Sequence, residues 1–187
     1  MPQPSRAIAD QKFGVCILAG GKSSRMGQEK SRLLIDGASL LTHARDSAKE
    51  LGWPMRVIRR DIISSCGPLS GIYTALKSSQ ADAEIFLACD MPFVSACLLR
   101  RILRGLRPSD QACFATMNRL AGFPFVIRQA CVESIAQAID RGEWSLQALA
   151  KTLNARRISI PAAERGAVIN INTPADLTSA RDLHHDR

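Results

Sequence analysis

Residues 13–30 read "FGVCILAGGKSSRMGQEK", an apolar run of strand length that stops at two glycines and passes into a stretch rich in cations and hydroxyls. The run has no polar residues to alternate with its apolar ones, which is the pattern of a strand buried on both faces. Such strands belong to α/β sheets covered by helices on both sides. The loop that follows is not an ATP-type P-loop. Setting its required G-K-S on Gly21, Lys22 and Ser23 puts the first obligatory glycine at Cys16. Nor does a G-x-G-x-x-G dinucleotide fingerprint pass through Gly20, Gly21 and Gly27. What remains is a strand end, Leu18 and Ala19, followed by two glycines that let the backbone approach a ligand closely. Successive N–H groups in such a turn form an anion-binding concavity, and Arg25 and Lys30 add fixed positive charge beside it.

The same alternation continues along the chain. Helical periodicity runs over residues 39–51, stopped by Gly52 and Pro54, and a short strand follows at 55–60. A turn at 67–71 leads into a helix, residues 84–89 form a second buried strand, and Ser95 caps a helix over 95–106. Strands are expected at 112–117 and 123–128, separated by a loop at Asn118 to Gly122, then helices at 129–141 and 145–153. Strands over "RISIP" and "VININ" and a helix from Pro174 complete the order. The expectation is one α/β domain over residues 13–183, a Rossmann-like three-layer sandwich on a mostly parallel sheet, with flexible ends at 1–12 and 184–187.

Composition narrows the function. The chain has 187 residues and is 46% hydrophobic, enough for one cored domain and too short for two. No apolar run approaches the roughly 20 residues that span a bilayer, and residues 1–12 lack the apolar centre of a secretion signal. A cytoplasmic protein without a membrane partner is expected. Six scattered cysteines form no CxxC pair, so they read as reduced thiols, most of them core residues, rather than as a zinc site or disulfide framework. The net charge of +8 suits an anionic partner, but nothing resembles a nucleic-acid-binding signature, and no nucleic-acid partner is expected. Arg100, Arg104 and Arg107 share a helix face by spacing; that stripe reads as a solvated face, with a partner-docking surface as the alternative.

Ligands of such sheets bind beyond the carboxyl ends of the strands, which directs attention to residues 20–30, 66–71, 90–94 and 170–174. Asp90 ends a buried strand, and because Ser95 already caps the next helix, its carboxylate is not needed for capping. Beside a phosphate loop it suits Mg²⁺, which takes one or two carboxylates plus substrate phosphates. Gly67 and Pro68 make a tight turn that brings backbone groups to a nucleotide or serves architecture alone. In "VININTP", strand alternation puts Asn170 and Asn172 on one face, as ligands for a second substrate or as turn-stabilising groups. Thr173 reads as the cap of the last helix.

Leu18, Ala19, Gly20, Gly21, Ser23, Arg25, Met26, Gly27 and Lys30 resemble the phosphate-binding signature of the MobA-like nucleotidyltransferases, with Glu29 standing where that pattern has aspartate. "CGPLSGI" at 66–72, "LACDMPF" at 87–93 and "ININTPADL" at 169–177 follow in the order of that family. The resemblance implies a nucleotide-diphospho-sugar-transferase-like fold and transfer of GMP from GTP to the terminal phosphate of molybdopterin, releasing pyrophosphate. It implies Mg²⁺ on Asp90 as cofactor, with Arg25, Lys30 and Asp90 catalytic. Nucleotide binding would involve Leu18, Ala19, Gly20, Gly21, Lys30, Asp61, Gly67, Pro68 and Asp90, with Asn170 and Asn172 on the second substrate. Molybdoenzymes or their chaperones are the implied protein partners. The chain departs from the family between the second strand and the GPL turn. Only "RRDIISS" stands there, on the order of a dozen residues fewer, and Asp61 is the one acidic candidate for reading the base. Three other activities fit the same motifs: a CTP-using transferase, against which Gly20 argues, a sugar-phosphate nucleotidyltransferase, or a protein that binds nucleotide or cofactor without turnover.

Overall fold

The computed structural model describes residues 11–20, 30–63 and 66–185. Strand β1 (Phe13–Leu18) lies between β4 (Met55–Ile58) and β5 (Ala83–Ala88), parallel to both. Its alternating side chains are divided between two cores: Val15 and Ile17 face one layer, Cys16 the other, and all three are fully buried. That double burial is why the run carries no polar residue.

Strands β6 (Ala112–Met117), β7 (Leu120–Arg128) and β8 (Arg156–Ser159) complete a sheet of order β4-β1-β5-β7-β6-β8. Only β7 runs against the others. One face of the sheet packs on α1 (Leu40–Lys49) and α3 (Ala96–Gly105), and the other on α2 (Pro68–Lys77), α4 (Val132–Asp140) and α5 (Leu146–Thr152). Phe86, Phe114 and Phe125 stack in series on the second face, with centroids 5.1 and 4.5 Å apart. The three-layer α/β arrangement is as expected.

Helix starts follow the expected chemistry. Ser39, Ser95 and Ser145 each accept a hydrogen bond from a first-turn N–H through the hydroxyl. A small hairpin, β2 (Leu34–Ile35) and β3 (Ala38–Ser39), turns at Asp36 and Gly37, both with left-handed φ. The Asn118–Gly122 loop is tighter than expected. Asn118 and Arg119 alone make the turn, both with left-handed φ, so β7 starts at Leu120.

The last expected strand does not form. Residues Ala162–Val168 wind into 3-10 turns, and the chain from Ile169 passes the end of the sheet into helix α6 (Pro174–His185) without joining a ladder. The alternation argued for "VININ" therefore fails: Ile171 is fully buried while Ile169 is 38% exposed. Ile171 packs with Ile35, Leu40 and Ala180 in a third, minor core that joins α6 to the β2–β3 hairpin.

The cysteines are all free thiols, five of them buried and Cys97 exposed. Burial pushes the Cys16 and Cys113 thiols up to about 12, which removes them as nucleophiles near neutral pH. Two arginines of α3 are engaged within the chain, one of them on the Arg100–Arg104–Arg107 face. Arg100 donates to the Glu50 carbonyl at the end of α1, Arg101 pairs with Glu164 at 2.7 Å, and Arg107 lies past the helix end.

Candidate active site

Parallel pairing brings three strand ends to one level: Leu18 is in register with Ile58 on one side and Ala88 on the other. The loops after these strands leave the sheet together. Ala19 N–H donates to Ile58 O at 2.8 Å and Cys89 N–H to Leu18 O at 3.1 Å, so the three exits are bonded to one another. This is the place where the sequence put its ligand loops.

Gly20 is required by proximity. A Cβ there would lie 3.2 Å from the Arg59 carbonyl oxygen and 3.8 Å from Asp61 Oδ1. The same carboxylate reaches the first turn of α2, 3.5 Å from the position a Cβ on Gly71 would take. Asp61 thus stands between the glycine loop and the helix that follows the GPL turn, and partial desolvation there raises its carboxyl above the ordinary aspartate value. Ile62 N–H is held by Thr74 Oγ1 at 2.9 Å, which fixes this short segment on α2.

Gly67 has φ +57, and a Cβ there would also meet the Trp144 carbonyl oxygen at 3.3 Å. Pro68 occupies the first turn of α2 with no side chain capping it, unlike the serine-led α1, α3 and α5. The amide end of α2 therefore faces the loop cluster with its positive dipole end.

Asp90 lies two residues beyond β5, half-buried, and Ser95 does cap α3, bonded by Leu98 N–H at 3.2 Å. Ile171 N–H donates to Asp90 O at 2.8 Å, and that bond brings residues 170–172 to the metal candidate. Asn170 is exposed and Asn172 half-buried, so they reach this place by an extended strap and not by sharing a strand face. Thr173 caps α6 as expected, its hydroxyl accepting from Asp176 N–H at 3.1 Å.

Leu18, Ala19, Gly20, Asp61, Gly67, Pro68, Asp90, Asn170 and Asn172 thus all sit at the carboxyl end of the sheet. Gly21 and Arg25 lie outside the described residues, as does the Lys30 side chain; the Lys30 backbone opens the 3-10 turn Lys30–Arg32. Thr173, Pro174 and Asp176 read as a helix start from the sequence, but Ile171 as an anchor and the second bond of the Asp176 carboxylate, from Asn172 N–H, were missed. The spacing Thr-x-x-Asp at 173–176 was a readable capping-box signal, whereas nothing local marks Ile171 as an anchor.

Among the described residues no group of three histidine, cysteine or acidic side chains could hold a metal. A single carboxylate at the end of a strand suits a magnesium ion that arrives with phosphate oxygens, because Mg²⁺ keeps water and substrate ligands rather than a full protein cage. The donor set fits such an ion.

A glycine at a strand exit, an uncapped helix start and an aspartate converge on the carboxyl end of a mostly parallel sheet, the end at which α/β folds of this class hold their ligands. Residues 15–157 match the MobA-like NTP transferase domain, and the chain belongs to that family. A molybdenum cofactor guanylyltransferase of Xanthomonas euvesicatoria pv. vesicatoria is 31% identical over 172 residues, covering 84% of this chain and 88% of that protein. The alignment runs over more positions than this chain contributes to it, so the relative carries residues inside the aligned stretch that this chain lacks. Molybdopterin-guanine dinucleotide biosynthesis protein A of Archaeoglobus fulgidus has a similar structure, with TM-score 0.74 and 20% identity over 93% of this chain and all of that one. The 2-C-methyl-D-erythritol 4-phosphate cytidylyltransferase of Thermus thermophilus shares the fold at TM-score 0.69 and 17% identity, over 93% and 99% of the two chains.

Proposed function

We propose that this chain is a Mg²⁺-dependent nucleotidyltransferase that joins GMP from GTP to the terminal phosphate of molybdopterin. The observation that carries this reading is the convergence of Gly20, Asp61, Gly67–Pro68 and Asp90 on three strand ends held in register. The names of the relatives support the choice of substrates.

The reaction needs alignment and charge neutralisation more than covalent help. An oxygen of the terminal pterin phosphate attacks the α-phosphorus of GTP, the bond to the bridging oxygen breaks, and pyrophosphate leaves with that electron pair. Mg²⁺ held by Asp90 supplies charge neutralisation at the phosphates when bound. Gly20 and Gly21 let backbone amides approach the β- and γ-phosphates, while Arg25 and Lys30 supply charge-assisted hydrogen bonds that strengthen as pyrophosphate develops. Asn170 and Asn172 meet the second substrate in this reading, which the bond from Ile171 N–H to Asp90 O beside them supports. Asp61, largely exposed but partly desolvated between Gly20 and α2, is the acidic group that accepts from the base in this reading.

The short 59–67 segment bears on base selection. With one exposed carboxylate in place of a closed polar pocket, a wrong base leaves few buried groups unpaired, so GTP is preferred over ATP by roughly tenfold to a hundredfold and not more. Incubation with molybdopterin, GTP and Mg²⁺ tests the proposal, with the dinucleotide product read by mass. Formation of a cytosine form from CTP at a higher rate, or a product formed only with a sugar phosphate, would assign the chain to another transferase.

A further inference from the structure

We infer that Asp176 is a positioning residue for Asp90, acting through the strap at residues 170–173; this rests on the metal role proposed for Asp90. One oxygen of Asp176, Oδ2, accepts from both Asn172 N–H and Thr173 N–H, each at 2.9 Å. An ordinary capping box uses only the N–H of the cap residue, here Thr173. The added bond from Asn172 extends the grip one residue back, next to Ile171. Ile171 in turn donates its N–H to Asp90 O at 2.8 Å, and its side chain is fully buried against Ile35, Leu40 and Ala180. A continuous series of bonds and packing therefore runs from the Asp176 carboxylate to the backbone of Asp90.

The same helix braces the β2–β3 hairpin. Arg181 donates to Leu34 O at 2.9 Å through Nη2 and 3.3 Å through Nε, and Leu177 and Ala180 pack in the minor core with Ile35. One element thus ties the strap to the β2–β3 hairpin, and it lies beyond residues 15–157, where the family match ends. Removing the Asp176 carboxylate strips two strap amides of their acceptor. The strap then loses the constraint that fixes Ile171 against Asp90, while the β2–β3 hairpin keeps its own bond to Arg181.

The test is calorimetric titration of the full chain with GTP, once with Mg²⁺ and once with a chelator. The wild-type protein gains affinity from Mg²⁺. Asp176→Ala should keep the metal-free GTP affinity and lose about tenfold of the Mg²⁺ gain, the scale of one displaced charge-neutralising contact. Asp176→Asn retains an acceptor oxygen and should lose less. Thr173→Ala weakens the helix start but leaves both bonds to Oδ2 in place, and should keep the gain. An unchanged gain in Asp176→Ala, an equal loss with and without metal, or an equal loss in Thr173→Ala would overturn the inference. If Asp90→Asn loses the gain and Asp176→Ala keeps it, the inference alone falls; if Asp90→Asn keeps it, the metal role falls and takes the inference with it. Should the alanine variant not fold, the asparagine variant decides, with an intermediate loss expected and no loss contradicting it.

Discussion

Glu84 and Asp90 stand at opposite ends of β5 and do different work. Glu84 is 2% exposed, accepts from Arg56 Nη2 and Ser79 Oγ at 2.6 Å each, and lies against Gly14, where a Cβ would come within 2.5 Å of its Oε2. Arg56 also donates to Ala75 O at 2.9 Å and Ser78 O at 3.2 Å, so the pair closes the carboxyl end of α2. Asp90 is half-buried at the loop cluster, and its backbone carbonyl accepts from Ile171 N–H. The first carboxylate is enclosed by partners from its own chain and serves architecture. For the second, the proposed role is to hold a metal together with phosphate oxygens of the substrate.

The comparison can be broken at each end. Asp90→Asn keeps the shape and removes the charge, and should lower turnover by a few kcal/mol, on the order of a hundredfold to a thousandfold, with an unchanged melting temperature. Pyrophosphate release at near wild-type rate in the folded variant would remove Asp90 from the mechanism. Glu84→Ala should show the opposite profile. It leaves Arg56 partly buried without its carboxylate and should cost about 2 kcal/mol of stability, less than a fully buried pair because Arg56 is one-third exposed. Urea unfolding measures it, and nucleotide affinity per folded molecule should not change.

Lys30→Ala and Arg25→Ala should weaken GTP roughly tenfold while leaving guanosine binding intact, since the partners proposed for them are phosphate oxygens. Equal losses for both ligands, read by calorimetry, would indicate a folding defect instead. The smallest effect is expected at Asp61. Asp61→Ala should lower GTP use severalfold and leave ATP use unchanged. Because desolvation raises its carboxyl in the folded state, the folded chain holds that proton more tightly than the unfolded chain. Stability from this group therefore falls as pH rises through the range just above the ordinary aspartate value, and Asp61→Asn should flatten that part of the stability curve.

Much of this was legible because local and global signals agree. The unbroken apolar run at 13–19 reports double burial, and Ser39, Ser95 and Ser145 mark helix starts through one hydroxyl each. The glycines at 20, 67 and 71 mark close approaches that the structure shows. The "VININ" segment misled because alternating Ile and Asn suits a strand, whereas here a single backbone bond and one buried isoleucine hold an extended strap beyond the sheet. Nor does the sequence tell Glu84 from Asp90: each is an acid in or just after an apolar strand, and only tertiary contact with Arg56 and Ser79 separates them.

Whether the carboxyl end of this sheet transfers a guanylyl group is decided by pyrophosphate release. Wild-type and Asp90→Asn proteins are given molybdopterin, Mg²⁺ and each of the four nucleoside triphosphates in turn, and pyrophosphate is quantified. The account predicts release with GTP, exceeding that with ATP by roughly tenfold to a hundredfold, and its near loss in Asp90→Asn. Nucleotide bound by the wild-type protein with no pyrophosphate released from any of the four would contradict it.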